Sequence, residues 1–113
     1  MTSRSLATME SSIFARFKTA NSIETWILNR LGMIGLTMPW GTVYLHPDHA
    51  TDEHLWRHEA WHLHQIVRDG PLTFSVRYLW HLAISGYRAN PYEIEAYAND
   101  HSWPPGYGPE QLI

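Results

Sequence analysis

Residues 58–62 read His58-Glu59-Ala60-Trp61-His62, two imidazoles four positions apart with a carboxylate directly after the first. On an α-helix four residues span about 400° of rotation and about 6 Å of rise, so both rings leave one face a turn apart and can grip a single ion. Glu59 projects about 100° away from His58, too far round to join that grip but near enough to reach a water beside the metal. The chemistry implied is metal-assisted hydrolysis. With this chain's own His and Glu frequencies the spacing would arise by accident in roughly one sequence in thirty, so its neighbours must carry part of the weight. There are no cysteines and eight histidines, and any metal must therefore be held by imidazoles and carboxylates.

The surroundings suit a metal floor. On a helical wheel Trp56, Ala60, Leu63 and Val67 form one apolar stripe, while Arg57, His64 and Arg68 form a polar side. His58 and His62 share their face with Leu55 and Ile66, which is odd for a solvated surface but fits a walled site. The plainer reading makes them buried hydrogen-bonding histidines or ordinary surface residues of a His-rich chain. His54, one turn earlier on the same face, reads as a neighbour of the site. Two histidines leave a tetrahedral zinc one protein ligand short if a water is to take the open position. A longer HExxHxxGxxH motif is excluded, because Gln65 and Arg68 stand where it needs glycine and histidine. The third donor must come from elsewhere, and Asn90-Pro91-Tyr92-Glu93-Ile94-Glu95-Ala96-Tyr97-Ala98 offers two carboxylates beside small alanines.

The elements needed to position these groups can be read in outline. Apolar residues Ile13, Phe14, Phe17, Ile23, Trp26, Ile27 and Leu31 recur at three- and four-residue intervals, predicting one or two helices across residues 11–31, with Ser22 capping the second. Two β-prone runs, 33–38 and 42–46, flank Pro39-Trp40-Gly41 and predict a hairpin. Thr51 as N-cap followed by Asp52 and Glu53 predicts a helix over 52–68, stopped by Asp69-Gly70-Pro71. Residues 72–85 are apolar on most sides and predict a largely buried helix. After the loop 86–89, Asn90 as N-cap and Pro91 start a last helix over 91–100. The expected fold is α+β, helices packed on a small sheet or hairpin, in one domain. Residues 1–10 and the Pro/Gly-rich tail 101–113 are expected to be irregular, the tail mobile or lying across the cleft. The tryptophans 26, 56, 61 and 80 are expected in the core or a groove wall.

HEAWHLHQ followed some thirty residues on by NPYEIEAYA resembles the gluzincin zinc metallopeptidases, and the chain's length is similar to that of the single-domain minigluzincins. The resemblance covers roughly residues 35–98 and implies a minimal zincin-like domain that cleaves peptide bonds with Zn2+. It implies His58, His62 and Glu93 as metal ligands and Glu59 as the group that moves the water's proton. Glu93 also has a capping reading, since it stands three residues after Asn90; Glu95, four residues before Asn99, is then the alternative ligand. Tyr97 departs from the pattern where many relatives carry Asp or Asn supporting a histidine ligand. A donor for a developing oxyanion is wanted, which Tyr87, Arg88 or Tyr97 can supply; Tyr87 joins Glu59 as a candidate catalytic residue. The hairpin edge is the natural rail for an extended peptide substrate. A second reading keeps the scaffold as a metal-binding or interaction module with little turnover.

Composition narrows the remaining classes. Of 113 residues 44% are hydrophobic and 17% charged, the balance of a folded globule. The formal charge of -3 leaves no cation excess for a phosphate backbone, so no nucleic-acid partner is expected. No run reaches the ~18 apolar residues of a membrane span. The first twenty residues have no apolar run before a small-residue cleavage site, and a cytoplasmic location is the expectation.

Overall fold

The structure, a computed structural model, describes residues 15–108. Three strands and four helices follow one another as β1 (Arg16–Thr19), α1 (Ser22–Leu31), β2 (Gly35–Thr37), β3 (Thr42–Leu45), α2 (Glu53–Asp69), α3 (Pro71–Ser85) and α4 (Pro91–Asn99), with a 3-10 turn at Pro47–His49. The class is α+β. The strands make one sheet in the order β1-β3-β2.

The expected hairpin is present, β2 and β3 pairing antiparallel with Gly35 opposite Leu45 and Thr37 opposite Val43. Its turn closes when Gly41, at φ 101°, donates its amide to the Met38 carbonyl at 2.9 Å. That φ is one a residue with a Cβ rarely adopts. β1 corrects the helical reading of the N-terminal stretch. Residues 16–19 are a strand parallel to β3, Phe17 facing Val43 in register, while the earlier part of that expected helix, residues 11–14, lies outside the described residues. Phe17 stacks on Trp56 with ring centroids 4.3 Å apart, so what looked like helical spacing was a single inward side chain on a short strand. Four residues are too few for periodicity to distinguish the two.

α1 begins one residue earlier than expected because Asn21, not Ser22, caps it. Glu24 donates its amide to Asn21 Oδ1 and accepts the Asn21 amide on Oε1, both at 2.9 Å, a reciprocal box that Ser22 cannot form with a partner three residues on. Asp52 likewise replaces Thr51 as the cap of α2, accepting from the His54 amide at 3.0 Å.

The core lies between the sheet and one stripe of α2. Val43 and Leu45 of the central strand meet Leu55, Trp56, Ala60 and Leu63, and Tyr107 from the tail completes the cluster. Residues 101–108 form neither helix nor strand, as expected, but they are anchored rather than frayed. Tyr107 is 6% exposed, Pro104 is buried, and the Trp61 indole donates to the Ser102 carbonyl at 2.9 Å. This part of the tail packs on the sheet side of α2, and none of residues 101–108 lines the cleft that borders His62 and Glu93. The stripe itself ends at Leu63, since Val67 is exposed.

α3 overturns its expectation. Only Phe74 is buried, whereas Leu72, Val76, Leu79, Trp80 and Ile84 are exposed. The helix leans on α2 and α4 through Phe74 and Tyr78, and among the described residues no second layer covers its outer side. α1 behaves alike. Leu28 is buried while Ile23, Trp26, Ile27 and Leu31 face outward, so Trp26 and Trp80 are not core residues.

Truncating Tyr107 separates an anchored tail from a frayed one. Tyr107→Ala should destabilise the fold by about 3 kcal/mol, as expected for removing a buried aromatic, and lower the urea midpoint in proportion. An unchanged midpoint would mean the tail adds nothing to the core.

Candidate metal centre

α2 runs through the centre of the molecule and divides its functions by face. Trp56, Ala60 and Leu63 are spent on the sheet, and His58 and His62 emerge on the opposite side, 5% and 4% exposed. Their rings stand 5.0 Å apart and nearly perpendicular, at 89°. α4 brings Glu93 between them. Its Oε1 lies 2.9 Å from His58 Nε2 and its Oε2 lies 3.0 Å from His62 Nε2. Tyr78 of α3 donates its hydroxyl to the same Oε2 at 2.6 Å. Three separate helices thus meet at one carboxylate.

The far nitrogens of both rings are also tied. His58 Nδ1 is 3.0 Å from Asp100 Oδ2, and Asp100 Oδ1 is 2.8 Å from His54 Nε2, so one carboxylate supports two histidines. His62 Nδ1 is 2.8 Å from Gln65 Oε1. Both Nδ1 atoms face acceptors, which keeps a proton on Nδ1 and makes Nε2, now turned to Glu93, the nitrogen that a metal would take on displacing its proton. His54 is therefore a neighbour of the site, as its wheel position implied.

Glu59 is held apart from this group. Thr37 Oγ1 donates to its Oε1 at 2.8 Å, and a Cβ placed on Gly35 would stand only 3.0 Å from its Oε2 and carboxyl carbon. Strand β2 pins the carboxylate at one oxygen and abuts it at the other, and only glycine leaves room at position 35. Glu59, His62 and Glu93 share the floor of a cleft of about 410 Å³ walled by the hairpin and α3, including Leu36, Met38, Phe74, Leu79 and Leu82. A larger hollow of about 630 Å³ beside Leu63 and Tyr107 has no imidazole or carboxylate in its lining.

Tyr87 borders the cleft beside Glu59, with its hydroxyl 3.3 Å from that of Tyr97. Tyr97 in turn lies against His58, ring centroids 4.4 Å apart. Arg88 is exposed. Glu95 points elsewhere: Arg68 Nη1 holds both its oxygens at 3.0 and 2.8 Å, and the Gln65 amide donates to it at 2.8 Å. The capping reading of Glu93 fails as well. Asn90 caps α4 alone, accepting from the Tyr92 amide at 3.1 Å, and the Glu93 carboxylate is turned to the histidines.

The donor set suits a divalent ion. Among the described residues His58, His62 and Glu93 are the one group of three such side chains whose donor atoms lie within 4.8 Å of one another, and all three are buried. Two imidazoles and a carboxylate are borderline ligands of the kind zinc takes, at bond lengths of roughly 2.0–2.2 Å. Gln65, Tyr78, Asp100, Thr37 and Gly35 are the supporting residues that sequence reasoning missed. Gln65 alone left a trace, three residues after His62 and thus on nearly the same helical face.

Without a metal the group behaves as a buried ion-pair cluster. Burial opposes the charge on His62, but the hydrogen bond and negative charge of Glu93 outweigh it and raise the ring to about 9. Burial also opposes charge on His58, but its hydrogen bond to Glu93, the negative charge of Glu59 and its bond to Asp100 outweigh that burial and the repulsion of His62, and the ring is raised. Burial would push Glu93 up, yet the two imidazoles hold it far below the usual carboxylate range. Glu59 is raised chiefly by burial, against the pull of both histidines. Burial also keeps the Tyr87 hydroxyl protonated and able to donate.

No family model, curated protein or solved structure matches this chain.

Two outcomes test this geometry. In metal-free protein, His62 is raised when folded, so its stabilising charge is fully present below its unfolded value near ~6.5 and lost as pH climbs through about 9. Thermal unfolding of chelator-treated protein should show the melting temperature falling across that window, while zinc affinity rises by about tenfold per pH unit for each proton displaced. A flat profile would contradict the cluster. Separately, wild type is expected to take up one divalent ion per chain by plasma emission; Glu93→Ala should abolish that uptake and Glu95→Ala should retain it.

Proposed function

We propose that this protein is a zinc-dependent peptidase of minimal zincin-like form. The observation that carries the reading is the meeting of His58, His62 and Glu93 at one buried point, with a fourth group, Glu59, held beside it in an open cleft. A purely structural metal site closes its coordination shell with four protein ligands; here three donors converge and a separately anchored carboxylate faces the same cleft.

When bound, the metal supplies Lewis-acid polarisation of a carbonyl and acidifies water. Glu59 is the residue that takes a proton. Its carboxyl is raised by burial and so holds a proton more readily than an exposed glutamate does, as a group that must accept and then return one requires. Thr37 keeps Oε1 occupied, which leaves Oε2, on the Gly35 side, as the oxygen that exchanges the proton. Tyr87 stays neutral and offers a hydroxyl at the cleft wall for charge developing on a carbonyl oxygen.

β2 is an edge strand bordering the cleft, so an extended peptide can pair with it by main-chain hydrogen bonds while its side chains meet the apolar walls. A peptide or protein substrate fits this edge. No helix among the described residues is long and apolar enough to cross a membrane.

The decisive comparison is wild type against Glu59→Gln on casein or a mixed peptide library, each protein first assayed for zinc. Cleavage by wild type, abolished by chelation and reduced at least ~100-fold in Glu59→Gln with zinc retained, supports a peptidase in which Glu59 moves the proton. Stoichiometric zinc with no cleavage by either would overturn the enzymatic reading in favour of a metal-binding module.

A further inference from the structure

The two histidines are supported in unlike ways. His58 Nδ1 meets a carboxylate directly, that of Asp100 at 3.0 Å, whereas His62 Nδ1 meets the neutral amide of Gln65. Gln65 has no exposed surface at all. An amide can be turned either way round, and with its nitrogen toward His62 it would demand the opposite ring tautomer and put the proton on Nε2, where a metal could not bind.

The surroundings forbid that turn. The Gln65 amide nitrogen donates both of its hydrogens to atoms that only accept: the Tyr92 carbonyl at 2.9 Å and Glu95 Oε1 at 2.8 Å. Its oxygen is therefore committed to His62. Glu95 is itself held at both oxygens by Arg68, and Arg68 is braced by Asp69 at 2.9 Å. A continuous hydrogen-bonded chain thus runs from a partly exposed ion pair to the buried ring.

We propose that Gln65 is a positioning residue that fixes the tautomer and ring orientation of His62 for metal binding, and that the Arg68–Glu95 pair locks Gln65 in the one amide orientation that does so. This rests on the reading of His58, His62 and Glu93 as metal ligands. It also gives Glu95 a role outside the ligand set, supporting the metal through two intervening side chains.

The test is the zinc dissociation constant by chelator competition, for wild type, Gln65→Met, Glu95→Ala and Glu95→Gln, with Tyr107→Ala as a destabilised control remote from the site. Gln65→Met keeps the volume and removes every hydrogen bond; it should weaken zinc binding about 10- to 100-fold, the usual effect of losing a ligand's outer partner. Glu95→Ala, which removes one of the two acceptors that hold the amide and leaves only the Tyr92 carbonyl, should weaken it several-fold. Glu95→Gln can still present an oxygen to Gln65 and should restore most of the loss. Tyr107→Ala should lose stability without losing affinity. In zinc-bound wild type the His62 Nδ1 proton should give a downfield, slowly exchanging NMR signal that disappears in Gln65→Met. Wild-type affinity in folded Gln65→Met would overturn the proposal; should that variant not fold, wild-type affinity in Glu95→Ala would do so. A wild type that takes up no zinc would instead sink the metal reading beneath it, and the two failures are thereby distinct.

Discussion

A carboxylate taken out of water is the constraint on which this structure depends. Glu93 is 2% exposed, and a buried carboxylate stays charged only where donors replace its lost hydration. His58 and His62 supply one donor to each oxygen and Tyr78 adds another. Each imidazole, once buried, has a second nitrogen to satisfy, which Asp100 and Gln65 do, and these lean in turn on His54, Tyr92 and Glu95. Among the described residues no buried side-chain nitrogen or oxygen is left without a partner. Low polarity around such a network strengthens every bond in it and makes each omission expensive, so a site of this kind is complete or unstable.

The network also does mechanical work that the apolar core does not. The main cluster joins α2 to the sheet and the tail; α3 and α4 meet α2 through the small group Ile66, Phe74 and Tyr92 and through the bonds around Glu93. Tyr78 holds α3 to α4 twice, by its hydroxyl on Glu93 and by its carbonyl, which accepts from the Asn90 side chain at 3.0 Å. With much of the apolar surface of α3 facing outward, these polar bonds carry a larger share of its attachment than they would in a helix with a full hydrophobic seam. A divalent ion at the same point would replace proton-mediated contacts with stronger ones, coupling metal binding to the docking of both helices.

Much of the fold was legible wherever the signal was local. The hairpin, the three C-terminal helices, the Asn90 cap and the breaks at Gly70 and Gly86 all follow from propensity and turn chemistry acting over a few residues. Burial was less legible. Leu72, Val76 and Trp80 look like core residues because their type is apolar, but burial depends on whether another layer arrives to cover them, and no window of sequence contains that information. β1 escaped for a related reason: its identity as a strand lies in its hydrogen bonds to β3, more than twenty residues away.

For the site the division is sharper. That His58 and His62 share one face, with Glu59 about 100° round from it, followed from sequence alone, because helix geometry fixes those directions without help from the rest of the chain. The choice between Glu93 and Glu95 was not, since two carboxylates two residues apart on one helix differ only in which way they point once α4 has docked. Packing of α4 against α2 sends the first to the imidazoles and the second to Arg68. Asp100, Gln65, Tyr78, Thr37 and Gly35 likewise acquire their roles from neighbours remote in sequence or from the direction a docked helix faces. Local geometry selects the residues able to do the chemistry; convergence of distant segments decides which of them meet.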